Sequence, residues 1–140
     1  MATSVFLSNA AVTINSVDLQ DQCTMAVVNY VLEQLETTSF GDTARKFGGS
    51  AVTSLQNNTI EVELYQSYAA SETEATIFGL VGIQTTIVVK PTSAAVSATN
   101  PSYTLSNCYL SAHSPINANL GELSTLTLTF SGGSLVKATS

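Results

Sequence analysis

The 140-residue chain has the length of one domain, enough to bury about two thirds of its unfolded surface around a single core. Hydrophobic residues at 44% exclude a disordered chain, and a net charge of −6 with only four Lys and Arg argues against a protein that grips nucleic acid by neutralising phosphates. Charged residues reach 10%, against roughly 25% in an ordinary soluble domain, and Ser and Thr, about a quarter of the chain, take their place. A small monomer stays soluble by scattering charge over its surface, so this composition points to a subunit that hides surface against copies of itself.

Met1-Ala2-Thr3-Ser4 opens the chain without a basic or apolar signal region, and no apolar run nears the roughly 20 residues that span a bilayer. The expectation is a protein without a membrane partner, made and assembled in a cytoplasm, with Cys23 and Cys108 as reduced thiols.

Period-2 alternation rich in β-branched residues dominates the chain. Val12, Ile14, Val17 and Leu19 flank a turn at Asn15-Ser16. Cys23 to Leu35 begins with alternation and becomes nearly all apolar through Met25-Ala26-Val27-Val28, the pattern of a strand covered on both faces, one by the core and one by a neighbour. Thr37 to Gly49 follows as a loop with three glycines and two aromatics, longer than a compact domain carries without a purpose. Phe40 and Phe47 within it are costly to expose unless something covers them.

Ile60, Val62 and Leu64 then alternate with Glu61, Glu63 and Tyr65 in a half-buried strand. Ser71-Glu72-Thr73-Glu74 has the capping-box spacing, Ser71 as N-cap with Glu74 reaching back, and Ile77, Phe78, Leu80 and Val81 supply an apolar stripe before Gly82. This predicts one helix over about Glu72–Val81, with Ser71 and Glu74 in structural roles only. Strands follow at Thr85–Lys90, Tyr103–Ala112, Leu123–Phe130 and Ser134–Lys137, with a polar loop from Pro91 to Pro101.

A search for chemistry finds little. His113 is the one histidine, and no Gly-x-Ser-x-Gly elbow accompanies it; Gly49-Ser50-Ala51 and Gly133-Ser134-Leu135 are ordinary glycine-flanked loop serines. One His and two distant Cys offer no metal spacing, and dispersed acidic residues form no calcium loop. Glu61 and Glu63 share a strand face as any i and i+2 residues do. Asn57-Asn58-Thr59 matches a glycosylation acceptor that means little without export. No catalytic residue, metal or cofactor is expected.

Several segments resemble the major tail proteins of siphophages that infect actinobacteria. Phe40-Gly41-Asp42-Thr43-Ala44-Arg45 is similar to the family's Met-Gly-Asp-Thr-Ala-(Arg/Lys) stretch. Ile60-Glu61-Val62-Glu63-Leu64-Tyr65-Gln66-Ser67-Tyr68 resembles a strand end of that family, with Leu64 and Ser67 where Phe and Asp are usual. Thr99-Asn100-Pro101-Ser102-Tyr103 and Asn119-Leu120-Gly121-Glu122-Leu123 resemble elements that open its later strands, so the likeness covers most of the chain from about Phe40 onward.

The resemblance implies a mainly β, tail-tube-type sandwich or barrel over residues 1–140, with an N-terminal arm over about 1–11, one flanking helix and a long loop over about Leu35–Gly49. It implies a non-enzymatic virion protein whose rings, of six subunits, stack into a channel that DNA traverses without specific binding. Other tail proteins (tape measure, tail terminator, baseplate or tip) are the implied partners. Phe40, Asp42, Arg45, Lys46 and Phe47 are the expected ring-stacking residues, and Glu33, Glu36, Glu61 and Glu63 the candidate acidic residues of the channel wall. The rival readings are a capsid- or tail-tip-associated carbohydrate-binding β-sandwich, the ring protein of a contractile injection system, and, last, an enzyme using His113.

Overall fold

A computed structural model describes residues 9–48 and 55–140. The N-terminal arm up to residue 8, and the Gly49-Ser50-Ala51 serine, lie outside the described residues.

Alternation becomes one strongly bent antiparallel sheet. β1 (Ala11–Ile14) turns through Asn15 and Ser16, both at positive φ, into β2 (Val17–Asp18), and its other edge pairs with β7 (Gln84–Lys90). β7 pairs with β8 (Ser102–Leu110), and the end of β8 touches β9 (Thr125–Ser131). β9 pairs along its length with β6 (Thr59–Tyr65), which pairs with the edge strand β3 (Cys23–Asn29). β10 (Ser134–Ala138) lies against the first half of β8.

β9 and β10 are one run of chain that changes partners at a bend. Gly132 and Gly133 both have φ +81°, opposite Asn107 at φ +60°. A Cβ on Gly133 would fall 2.0 Å from the Ser106 carbonyl oxygen, so the bend needs glycine for space as well as for dihedral. The bend folds the sheet over a core. Ile60, Val62 and Leu64 face inward with Leu126, Leu128 and Phe130, and meet Val12, Ile14, Ile87, Leu105 and Leu110 from the other half. The period-2 pattern of the sequence is thus the inside-outside pattern of the sandwich.

α1 (Thr73–Ile77), extended by a 3-10 turn over Phe78–Leu80, closes one side of the core with Ile77 and Leu80. Here the expected capping box is corrected. Ser71 sits at φ +62° outside the helix, Glu72 is the N-cap without a side-chain cap bond, and the Glu74 carboxylate turns to His113. The buried Thr73 hydroxyl anchors the turn instead, 2.8 Å from the Tyr65 carbonyl oxygen and 2.6 Å from Gln22 Oε1. A tertiary hydrogen bond to His113 and a buried hydroxyl outcompete a local cap that contributes only about 1 kcal/mol.

A second correction concerns the long loop. Leu35–Glu36 (β4) pairs with Phe47–Gly48 (β5), so the segment is a hairpin. The ladder beyond β3 continues through Asn57 N–H to Val31 O, Glu33 N–H to Leu55 O and Thr37 N–H to Lys46 O. β3 and β6 are therefore prolonged to Glu33 and Leu55 as a two-stranded ribbon that leaves the sandwich at the Asn29–Thr59 pair, with β4 and β5 paired beyond Glu33. Gly49, the expected end of the loop, lies outside the described residues.

Candidate functional site

Three surfaces stand out once the fold is in place. The first is the ribbon. Every residue from Tyr30 to Gly41 is exposed, including Val31, Leu32, Leu35 and Phe40. At the tip, Asp42 accepts from the Ser39 N–H at 2.8 Å and pairs with Lys46 at 2.6 Å, while Arg45 lies 3.7 Å from Glu36. The Lys46 ammonium, followed by the Ser39 N–H, holds the Asp42 carboxyl below its ordinary value. The tip is thus locally structured, yet Phe40 is 109% exposed and Phe47 51%.

Asn58 fixes where the ribbon departs. Its fully buried amide accepts from the Val31 N–H at 2.9 Å and donates to Gln56 Oε1 at 2.7 Å and the Gly133 carbonyl at 3.3 Å. The glycosylation pattern drew attention to this triplet for another reason; the buried anchor is its structural content. Only the Gly132-Gly133 turn it bonds to was visible in the sequence.

The second surface is the outer face of β3–β6–β9. Register places Val27, Glu61 and Thr129 in one row and Met25, Glu63 and Thr127 in the next. Thr24 Oγ1 donates to Glu63 Oε1 at 3.2 Å. No Lys or Arg belongs to these three strands. The four candidate wall carboxylates therefore divide: Glu61 and Glu63 share this face, whereas Glu33 and Glu36 belong to the ribbon.

The third surface lies at the other end of β6. The segment from Ser111 to Ser124 is pinned there: Gln66 Nε2 and Tyr68 O–H both donate to the Pro115 carbonyl, at 2.7 and 2.6 Å, and the Gln66 N–H donates to the Ser124 carbonyl. Ser124 O–H reaches the Asn117 carbonyl at 2.6 Å, and Asn117 Nδ2 the Thr125 carbonyl at 2.8 Å. This fixed loop displays Ile116, Leu120 and Leu123 to solvent.

His113 belongs to the same loop. Its nearly buried ring puts Nε2 2.9 Å from Glu74 Oε2, and Phe78 stands edge-on to it. The buried Nδ1 has no partner among the described residues, and the Nε2 contact with Glu74 ties loop to helix. Cys23 and Cys108 are both free thiols, and burial raises the pKa of each. No cluster of three metal-ligating side chains exists among the described residues. A cleft of about 1080 Å³ opens beside β3, lined by Ala26, Val28 and Leu135 together with the charged Asp18, Asp21 and Lys90.

No family model and no curated protein matches the chain. Solved structures do. A chain of the anti-feeding prophage tube-terminating cap aligns over 100% of this chain and 94% of its own, with TM-score 0.68 at 11% identity. A chain of the sheath/tube terminator of an extracellular contractile injection system aligns over 97% of each, with TM-score 0.67 at 13% identity. A chain of a native gene transfer agent virion covers 96% of this chain and 99% of its own, with TM-score 0.63 at 11% identity. The mainly β architecture with one short helix is therefore a fold shared with chains of a tube-terminating cap, a sheath/tube terminator and a gene transfer agent virion.

Proposed function

We propose that the chain is a structural subunit of a phage-type tail tube, closing into rings that stack into a conduit for DNA. The observation that carries this reading is the ribbon. A two-stranded hairpin alone is at best marginally stable in water; among the described residues no third strand or helix pairs with this one, and it exposes Leu35, Phe40 and Phe47. Copies of the same chain supply the missing cover, and a head-to-tail contact that does not close builds a filament. The likeness in fold to chains from three tail-like particles supports the reading.

Within it, rings of six pair the edge strand β3 with a neighbour, which removes a free edge that a solitary subunit would leave open. The β3–β6–β9 outer face lines the channel. Its glutamates and threonines carry no cation, so phosphates are repelled from the wall and DNA slides without being held. Glu33 and Glu36 add negative charge where the ribbon borders the channel. Tape-measure, terminator and baseplate-type proteins are the partners at the ends of such a tube, and the virion tail, assembled in the host cytoplasm, is its place. The long-tailed, non-contractile form rests on the residue resemblance at Phe40–Arg45 and Ile60–Tyr68.

A contractile injection system is the second reading, favoured by the likeness to its sheath/tube terminator. A sheath gene beside this one decides for it. Negative-stain microscopy of the purified protein at high concentration tests both readings: rings or tubes are expected, and a monodisperse solitary particle would refute them.

A further inference from the structure

Before a ring forms, the free edge of β3 is a hazard to the subunit that carries it. Among the described residues β3 pairs with β6 alone, so its second edge presents unpaired N–H and C=O groups. That edge borders the cleft of about 1080 Å³, with Thr24, Met25, Ala26 and Val28 on one wall and Leu135 of β10 on another. Ala26, Val28 and Leu135 pack on the core yet are only partly buried, so the described residues do not close this seam of the sandwich.

The described chain begins at the same cleft. Asn9 is fixed in place: its Nδ2 donates to Ser93 Oγ at 2.8 Å, and its carbonyl accepts from Gln20 Nε2 at 3.3 Å. Ala10 and Gln20 both line the cleft, and Gln20 opens the turn that leads directly into Cys23. A segment followed backward from Asn9 along β3 would therefore start at the Cys23 end and lie antiparallel to the strand. Residues 3–8 read Thr-Ser-Val-Phe-Leu-Ser, an uncharged run of strand-favouring residues with three apolar side chains at its centre. Six extended residues span about 20 Å at about 3.3 Å each, most of the length of β3.

We propose that residues 3–8 lie antiparallel along the free edge of β3 in the solitary subunit, with Val5-Phe6-Leu7 against Ala26, Val28 and Leu135. Added strands of this kind gain affinity from main-chain bonds and specificity from side chains set into pockets. The segment guards the edge that a neighbour takes when a ring closes, so it must leave β3 before closure and holds subunits apart until then. The guard rests on the reading of the chain as a ring-forming tube subunit and adds control of its assembly.

Amide exchange and NMR on the full-length protein test the packing, and electron microscopy tests the guard. In the solitary wild-type subunit, the β3 amides that point away from β6 are protected, equally at low and high protein concentration. The Phe6 ring gives NOE contacts to the methyl groups of Ala26 and Val28, a readout that needs no variant. Phe6→Asp speeds exchange at those β3 amides by about tenfold or more while β7 and β8 are unchanged, and Phe6→Leu retains the protection. Phe6→Asp also forms rings at a lower concentration than wild type. Absent NOE contacts, fast exchange along the β3 edge, or protection that Phe6→Asp leaves intact overturn the packing and leave the tube reading standing. Protection that appears only as concentration rises assigns the edge to a second copy and overturns it too. Rings that form less readily in Phe6→Asp overturn the guard. Wild type and Phe6→Asp that both form neither rings nor tubes overturn the tube reading, while the NOE contacts still uphold the packing.

Discussion

Phe130 and Phe40 are the same residue type in two regions built on opposite principles. Phe130 is fully buried on β9, aligned with Ile60 and Leu110 and sealed by both halves of the bent sheet. Phe40 stands at the tip of a ribbon whose backbone is paired, and its own side chain is 109% exposed. The sandwich buries its own apolar residues, whereas the ribbon leaves its own exposed. On the proposed reading, the apolar content of this chain divides into a share for folding and a share for assembly.

The largest effect that separates the two regions comes from truncating each phenylalanine. Phe130→Ala leaves a cavity in a close-packed core, so chemical denaturation is expected to show a loss of about 3–5 kcal/mol. Phe40→Ser should change the stability of the isolated subunit by less than about 0.5 kcal/mol and abolish elongation seen by electron microscopy. Equal losses of stability for the two would erase the distinction.

A smaller effect sharpens the boundary between the regions. Asn58→Ala leaves the Val31 N–H and the Gly133 carbonyl without their partner, at a cost of about 1–3 kcal/mol. Hydrogen exchange should then quicken at Val31, with β7 and β8 unchanged; uniform quickening would place Asn58 in the common core.

Charge at the tip gives the next test. Because Asp42 has a lowered pKa, its contribution is complete above the ordinary value of 3.8 and is lost as pH falls through the lowered one. A carboxyl titration followed by NMR should find Asp42 ionised throughout the range from pH 5 to 8, and Lys46→Ala should move its midpoint upward. The smallest effect concerns the thiols, whose pKa values are raised by burial. Folded protein at pH 8 should react with a thiol reagent far more slowly than unfolded protein, Cys108 slowest of all.

The strands were readable because their inner residues sit on one side of a pleat, as at Ile60, Val62 and Leu64. The turn at Gly132-Gly133 was readable too, since few other residues accept its dihedrals. The helix was expected in the right place, but its cap was not, because the competitor for Glu74 lies 39 residues away at His113. The hairpin read as a loop because neither of its two-residue strands has a buried side from which alternation could arise. Exposed aromatics marked it as an assembly candidate, whereas Ile116, Leu120 and Leu123 occupy a loop with no periodicity to draw notice. Their arrangement depends on the Pro115 carbonyl meeting Gln66 and Tyr68 from a distant part of the chain.

Hydrogen exchange on the isolated subunit and on assembled tubes tests most directly whether the ribbon is finished by another copy. Amides from Leu32 to Lys46 should exchange fast in the subunit and become protected in the tube, while β6 and β9 stay protected in both. A ribbon already protected in the solitary subunit, or still fast within the tube, would contradict the account.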